Sequence, residues 1–164
     1  MPVFSAAMAR HRYKSIMCFM HFNNNTLYHP RGDPEFDQLH KIQPFVNHLN
    51  QKFADVYTPQ QNICVDESLI NFSGRLAFKQ FLPSKHARYV VKMYKTCERA
   101  TVYTYKFRIY EGKDSHAEPH RCPDYMGSSG KIVWELVSSF FHMGYHLYVY
   151  NFYSNVPLDT CAIL

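Results

Sequence analysis

Apolar residues recur at helical spacing in the first third of the chain and at strand spacing over most of the remainder. Ala9, Tyr13, Ile16, Met17 and Met20 fall three or four apart after Ser5, whose hydroxyl suits an N-cap. Asn23-Asn24-Asn25 ends that helix, because asparagine side chains compete for backbone hydrogen bonds and tolerate turns. Residues 29–37, with Pro30, Gly32 and Pro34, read as a loop. Leu39, Ile42, Val46, Leu49 and Phe53 mark a second stripe. Pro44 inside it predicts either a kink or a helix restarting with Pro44 in its first turn. Both stripes are expected to face a core rather than a cofactor. Thr58-Pro59 then divides a helical region, residues 1–59, from a strand-rich region, residues 60–164.

The second region begins with Ile63, Cys64 and Val65, an apolar run of the kind found in a strand buried on both faces, predicted over residues 62–66. The run ends in Asp66 and Glu67, whose side chains must point to opposite sides. A carboxylate closing a buried strand is costly unless it is paired, hydrogen-bonded or holding a cation. The alternative is a strand that has simply reached solvent. A turn over Asn71–Arg75 precedes a strand from Leu76 to Phe81, which Pro83 closes. Arg88–Lys95 and Thr101–Tyr110 alternate as two more strands, joined by a polar turn near Glu98. A polar loop over 111–130 leads to a helix marked by Ile132, Val133, Leu136, Val137 and Phe140, with Gly144 expected at C′. Residues 145–150 form a further strand, and 157–164 look like the start of a helix.

Composition narrows the class. At 46% hydrophobic and 16% aromatic residues, the 164-residue chain has ample core volume and does not resemble a disordered one. No apolar run approaches the roughly 18 residues of a bilayer span, and Met1–Ser5 lacks the parts of a signal peptide. Five cysteines without a C-x-x-C pair fit a reduced, intracellular setting. The net charge of +5 is unevenly spread. Residues 1–74 sum to zero, 75–108 to +8 and 109–164 to −3. Glu98 is the single acid in the basic block, which carries Arg75, Lys79, Lys85, Arg88, Lys92 and Lys95 among its nine cations. Such a block suits a polyanion such as nucleic acid, or else a solvated sheet face. His116, His120 and Cys122 have partial zinc spacing, but no fourth ligand is evident and loop histidines are commonly just solvated.

The segments "CVDES", "GRLAFKQFLPSK", "YEGKDS", "SGKIVWELVS" and "GYHLYVYNFYSNVPL", in that order, resemble the DDE transposase region of piggyBac-type elements and their genome-resident relatives. "RYKSIMCFMHFNNN" and "LHKIQPFVNHLNQKFADVYTP" extend the resemblance over almost the whole chain. It implies an α/β fold: a truncated ribonuclease-H-like mixed sheet behind a small helical region of dimerisation or DNA-binding type. It also implies three aspartates on different strands holding two Mg²⁺ ions in active relatives. By the resemblance Asp66 is the first aspartate and metal ligand. The second position reads Tyr150, within Tyr148-Val149-Tyr150-Asn151-Phe152-Tyr153. The third, and a zinc-binding tail, lie in the family beyond the last residue here. Ser73 replaces a basic residue usual before the Gly-Arg turn.

A neutral phenol is a poor ligand for a hard cation. Glu67, Glu135 and Asp159 are the only nearby substitutes, and none is expected to converge with Asp66. Metal binding is therefore expected to be weak or absent. The resemblance implies a catalytically inactive, nuclear, transposase-derived domain with residual DNA binding through Arg75, Lys79, Lys85, Arg88, Lys92 and Lys95. The implied partners are DNA, bound weakly and salt-dependently, and a second copy or another transposase-derived chain, with no membrane role. The alternatives are a non-binding structural remnant or an active metal-dependent transposase or nuclease. The strand at 146–150 is expected to leave Leu147, Val149 and Tyr150 overexposed.

Overall fold

The computed structural model describes residues 6–86, 88–112, 126–150 and 153, and the following statements concern these. The chain divides into two compact units, Met1–Asn47 and His48–Leu164. That division falls inside a helix, whereas the sequence pattern changes from helical to strand-like at Thr58-Pro59.

In the first unit helix α1 spans Arg10–Cys18 and follows Ala9, which offers no side-chain cap. None of its residues is buried, and Tyr13 is 56% exposed. The apolar stripe expected to face a core is instead open. Periodicity reports that one helix face is apolar, not that anything covers it. Asn24 caps a short 3₁₀ turn at Asn25–Leu27, its side chain accepting from the Thr26 N–H. The Asp37 carboxylate accepts from the Leu39 N–H at 2.7 Å, turning the chain towards helix α2, Gln43–Val56. Pro44 lies in the first turn, where its missing N–H costs nothing, so the helix starts there without a kink.

The second unit is built on a five-stranded mixed sheet. Strand β1 is Asn62–Asn71, β2 Gln80–Phe81, β3 Tyr89–Glu98, β4 Thr104–Ile109 and β5 His146–Val149. The spatial order is β2-β3-β1-β5, with β4 also paired to β3. β1 runs antiparallel to β3 and parallel to β5. Helix α3, Ser128–Val137, supplies the crossover between β4 and β5 and continues as a 3₁₀ turn over Ser138–Phe140.

Alternation along β1 and β3 sorts their side chains. Ile63, Val65, Glu67 and Leu69 share a face with Glu98, Thr96, Tyr94 and Lys92, the residues directly opposite them. α3 packs on this face. Val133, Leu136 and Val137 bury completely against Ile63, Val65, Tyr94 and Phe140, and the Thr96 hydroxyl donates to the Leu136 carbonyl at 3.1 Å. Each such side chain contributes about 1.5–3 kcal/mol of transfer free energy. Leu147 and Val149 also pack against this cluster and are half-buried, not overexposed. Along β4, the Asn50 amide of α2 bonds both the N–H and the carbonyl of Phe107 at 2.9 Å, closing part of that strand's outer edge.

Several sequence-based boundaries shift. β1 continues to Asn71, so Asp66 and Glu67 sit in mid-strand; what ends at Val65 is the pairing with β5. β2 shrinks to two residues, paired with Val90 and Tyr89, because β4 occupies the same edge of β3 from Met93 to Cys97 and leaves only the start of β3 for it. Glu98 ends β3 as a buried residue, and the turn expected near it follows at 99–101. Gly144 has φ +80° but closes the turn into β5, since the α-helix has already ended at Val137. The segment expected to be helical at 157–164 lies outside the described residues.

Candidate functional site and basic surface

The parallel pairing of β1 with β5 runs as far as Val65↔Val149, and Asp66 and Tyr150 are the residues that follow on the two segments, Asp66 on the face of β1 opposite α3. Both are exposed, Tyr150 at 72%. On its other side Asp66 lies opposite Lys95 of β3. The Asp66 carboxylate accepts from the Glu67 N–H at 2.7 Å.

Of the substitute carboxylates, neither Glu67 nor Glu135 joins Asp66. Glu67 points to the α3 face and forms an ion pair with Lys92. Lys92 also lies 5.0 Å from the ring centre of Tyr94 and 5.7 Å from that of Tyr110. Burial alone would depress its pKa, but the Glu67 carboxylate and Tyr94 outweigh that and raise it above the usual lysine value. Glu135, on α3, binds Arg108 of β4 at 2.6 Å, while its carbonyl accepts from Lys106 at 2.9 Å. Asp159, His116, His120 and Cys122 lie outside the described residues. Among the described residues no group of three or more His, Cys, Asp or Glu side chains is placed to hold a metal ion.

Behind this position the chain turns, with the Tyr153 N–H donating to the Tyr150 carbonyl at 2.8 Å. Tyr153 enters the core on the α3 side, edge-on to Tyr94 at 6.0 Å. Burial, with smaller effects from Tyr94, Glu67 and Asp66, pushes its phenol far above the ordinary value. Burial likewise raises the Cys64 thiol, aided by Cys97 and Asp66.

The basic block splits into tied and open cations. Lys92 is engaged as above. Lys79 donates to the Gly74 carbonyl at 2.8 Å and lies 4.7 Å over the Tyr89 ring. Lys106 and Arg108 are held by α3, and Arg99 sits 5.0 Å over Tyr148. Arg75, Lys85 and Arg88 are exposed, Lys95 is half-buried, and none of the four forms an ion pair among the described residues. Phe72 N–H donates to the Tyr89 carbonyl, and Leu82 N–H to that of Arg88, so Arg75, Lys85 and Arg88 lie on loops at one end of the sheet. Ser73 is exposed beside them.

Sequence reasoning missed the role of Glu98. Only 1% exposed, its carboxylate accepts from the Thr101 hydroxyl, from the Gln60 N–H at 2.7 Å and from the Tyr57 hydroxyl at 3.0 Å. The Thr101 hydroxyl first, and the Gln60 N–H next, hold its pKa below the ordinary glutamate value. The available signal was its isolation as the one acid in a block of nine cations.

Three antiparallel strands, a crossover helix and a fourth major strand parallel to the first, with Asp66 on that first strand, define a ribonuclease-H-like sheet of DDE-transposase type. A protein-family model described as Transposase IS4 matches residues 1–159, and the chain belongs to that family, on its piggyBac transposable-element-derived branch. It is 26% identical over 156 residues to the human PiggyBac transposable element-derived protein 3, covering 94% of this chain and 25% of that one. The human chimeric ERCC6-PGBD3 protein is equally similar, with 94% of this chain and 14% of that protein covered. The fold matches a cryo-EM structure of piggyBac transposase in a synaptic complex with hairpin DNA, with TM-score 0.81, 19% identity and coverage of 96% of this chain and 31% of that one. The chain therefore spans a quarter or less of these two human relatives and about a third of the solved transposase.

Proposed function

We propose that this chain is a transposase-derived domain that has lost metal-dependent strand cleavage and keeps a weak, sequence-tolerant affinity for DNA. The observation that carries the first half is Tyr150 beside Asp66. Two-metal chemistry needs carboxylates on separate strands to bridge the cations. Here the neighbouring strand offers a phenol that is neutral at physiological pH, and the other neighbour is the cation Lys95. That donor set does not fit a pair of hard divalent ions. The second half is supported by the exposed Arg75, Lys85 and Arg88 at one end of the sheet, and by the DNA bound in the piggyBac structure of like fold. A DNA-bound role goes with a nuclear location, alone or paired with a second transposase-derived chain.

The test joins binding of duplex DNA at low and moderate salt to a plasmid-nicking assay with Mn²⁺ or Mg²⁺, on the natural chain and Asp66→Ala. Binding that weakens with salt, without nicking, is expected. Nicking by the natural chain that disappears in Asp66→Ala overturns the loss of catalysis. An affinity unchanged by salt overturns cation-driven binding, and no binding at any salt leaves the domain as a structural or interaction remnant.

A further inference from the structure

We propose that Cys64 and Cys97 form a dithiol site that a small-molecule disulfide, such as oxidised glutathione, closes reversibly into a cross-strand disulfide. The two residues are direct partners in the β1–β3 register, so their side chains leave the sheet on the same face. The Arg99 N–H donates to the Asn62 carbonyl at 3.0 Å, which makes that pair a hydrogen-bonded one. Two steps along, Cys64 and Cys97 belong to the same class, with Cα atoms about 5.5 Å apart. That separation lies within the range that disulfides span, roughly 4.4–6.8 Å. The Cys64 side chain already leans across the gap, its Sγ lying 3.4 Å from the Cys97 carbonyl oxygen. Both cysteines are reduced.

Exposure sets the order of events. Cys64 is half-buried and Cys97 is buried, its Sγ 3.6 Å from the Thr104 hydroxyl. The Cys64 thiolate attacks one sulfur of the small disulfide, forming a mixed disulfide and releasing one thiol. The Cys97 thiolate then attacks Cys64 Sγ and releases the second thiol. Two protein thiols are oxidised, one external disulfide is reduced, and the two protons leave on the two released thiols. Opposite residues in a sheet hold their Cβ atoms about 4.5–5.5 Å apart, whereas a relaxed disulfide wants about 3.8 Å. The bond therefore belongs to the readily reduced, regulatory kind. It would tether β1 two residues before Asp66 and close a loop around the segment carrying Arg75, Lys85, Arg88 and Lys95. None of this depends on the functional reading above.

The experiment treats the folded chain with oxidised glutathione, blocks free thiols with N-ethylmaleimide, digests without reduction and maps the peptides by mass spectrometry. The expected major product joins the Cys64 and Cys97 peptides, the thermal midpoint rises on oxidation, and dithiothreitol reverses both. In Cys97→Ser, Cys64 should stop at the glutathione adduct. The peptide map of the natural chain decides the matter even if that variant folds poorly. Recovery of Cys64 and Cys97 as separate alkylated or glutathionylated peptides overturns the proposal, as does pairing of either with Cys18, Cys122 or Cys161.

Discussion

At the scale of single residues, Asp66 and Tyr150 carry the functional argument and Glu98 the structural one. Replacing Tyr150 by Asp puts a second carboxylate beside Asp66, across a strand spacing of about 4.8 Å that a bridging cation can span. Tyr150→Asp should tighten Mn²⁺ binding by about tenfold or more, about 1.4 kcal/mol, in a calorimetric titration. It should not by itself create nicking, because the described residues add no third carboxylate at that position. Unchanged affinity would mean that the strand ends do not converge. Glu98 makes a separate prediction about acid stability. Its folded pKa is lowered, so its contribution is complete above the unfolded value of about 4.3 and is lost as pH falls through the lowered folded value. Glu98→Gln should lower the thermal midpoint at neutral pH and flatten its fall below about pH 4.3. An acid limb as steep as that of the natural chain would remove the carboxylate from the account. Asp66 was singled out by the family resemblance, and the structure places it in the middle of β1, not at its end. Glu98 was not legible in the sequence, because its partners Tyr57 and Gln60 come from 41 and 38 residues away.

Elements were legible where side-chain period and burial agree. The stripe of α3 follows from its covered face, and β1, β3 and β4 came through with shifted ends. β2 was misjudged in length because an edge is shared: nothing in Leu76–Phe81 says that β4 will take most of β3's free side. α1 was misjudged for the opposite reason, since its stripe has the right period but is not covered. The contrast can be measured. Leu136→Ala removes a fully buried side chain from the α3–sheet core and should cost about 2–5 kcal/mol in denaturant unfolding. Met17→Ala, on the exposed face of α1, should stay within about 0.5 kcal/mol of the natural chain. A Met17→Ala cost as large as that of Leu136→Ala would show the α1 stripe to be buried in solution.

At the scale of the whole molecule, charge distribution sets what the chain can bind, and the fold decides which charges remain available. The sequence places nine cations in 34 residues, and counting them alone predicts a steep electrostatic response. The sheet withdraws several. Alternation sends Lys92 to the α3 face and into an ion pair with Glu67, Lys106 and Arg108 are tied to α3, and Lys79 and Arg99 lie over tyrosine rings. Arg75, Lys85, Arg88 and Lys95 remain. Each phosphate neutralised on duplex DNA contributes about 0.9 to the slope of log affinity against log salt, so four contacts give a slope of about −3 to −4, well short of what nine would give. Fluorescence anisotropy across a salt series reads this directly. Removing an open cation, as in Lys85→Ala or Arg88→Ala, should weaken binding alike on unrelated sequences and shallow the slope by about 1. Lys92→Met should leave the slope where it was, because that ammonium already faces Glu67. A slope that falls as much for Lys92→Met as for Arg88→Ala would place DNA on the α3 face instead, and the division into tied and open cations would be wrong.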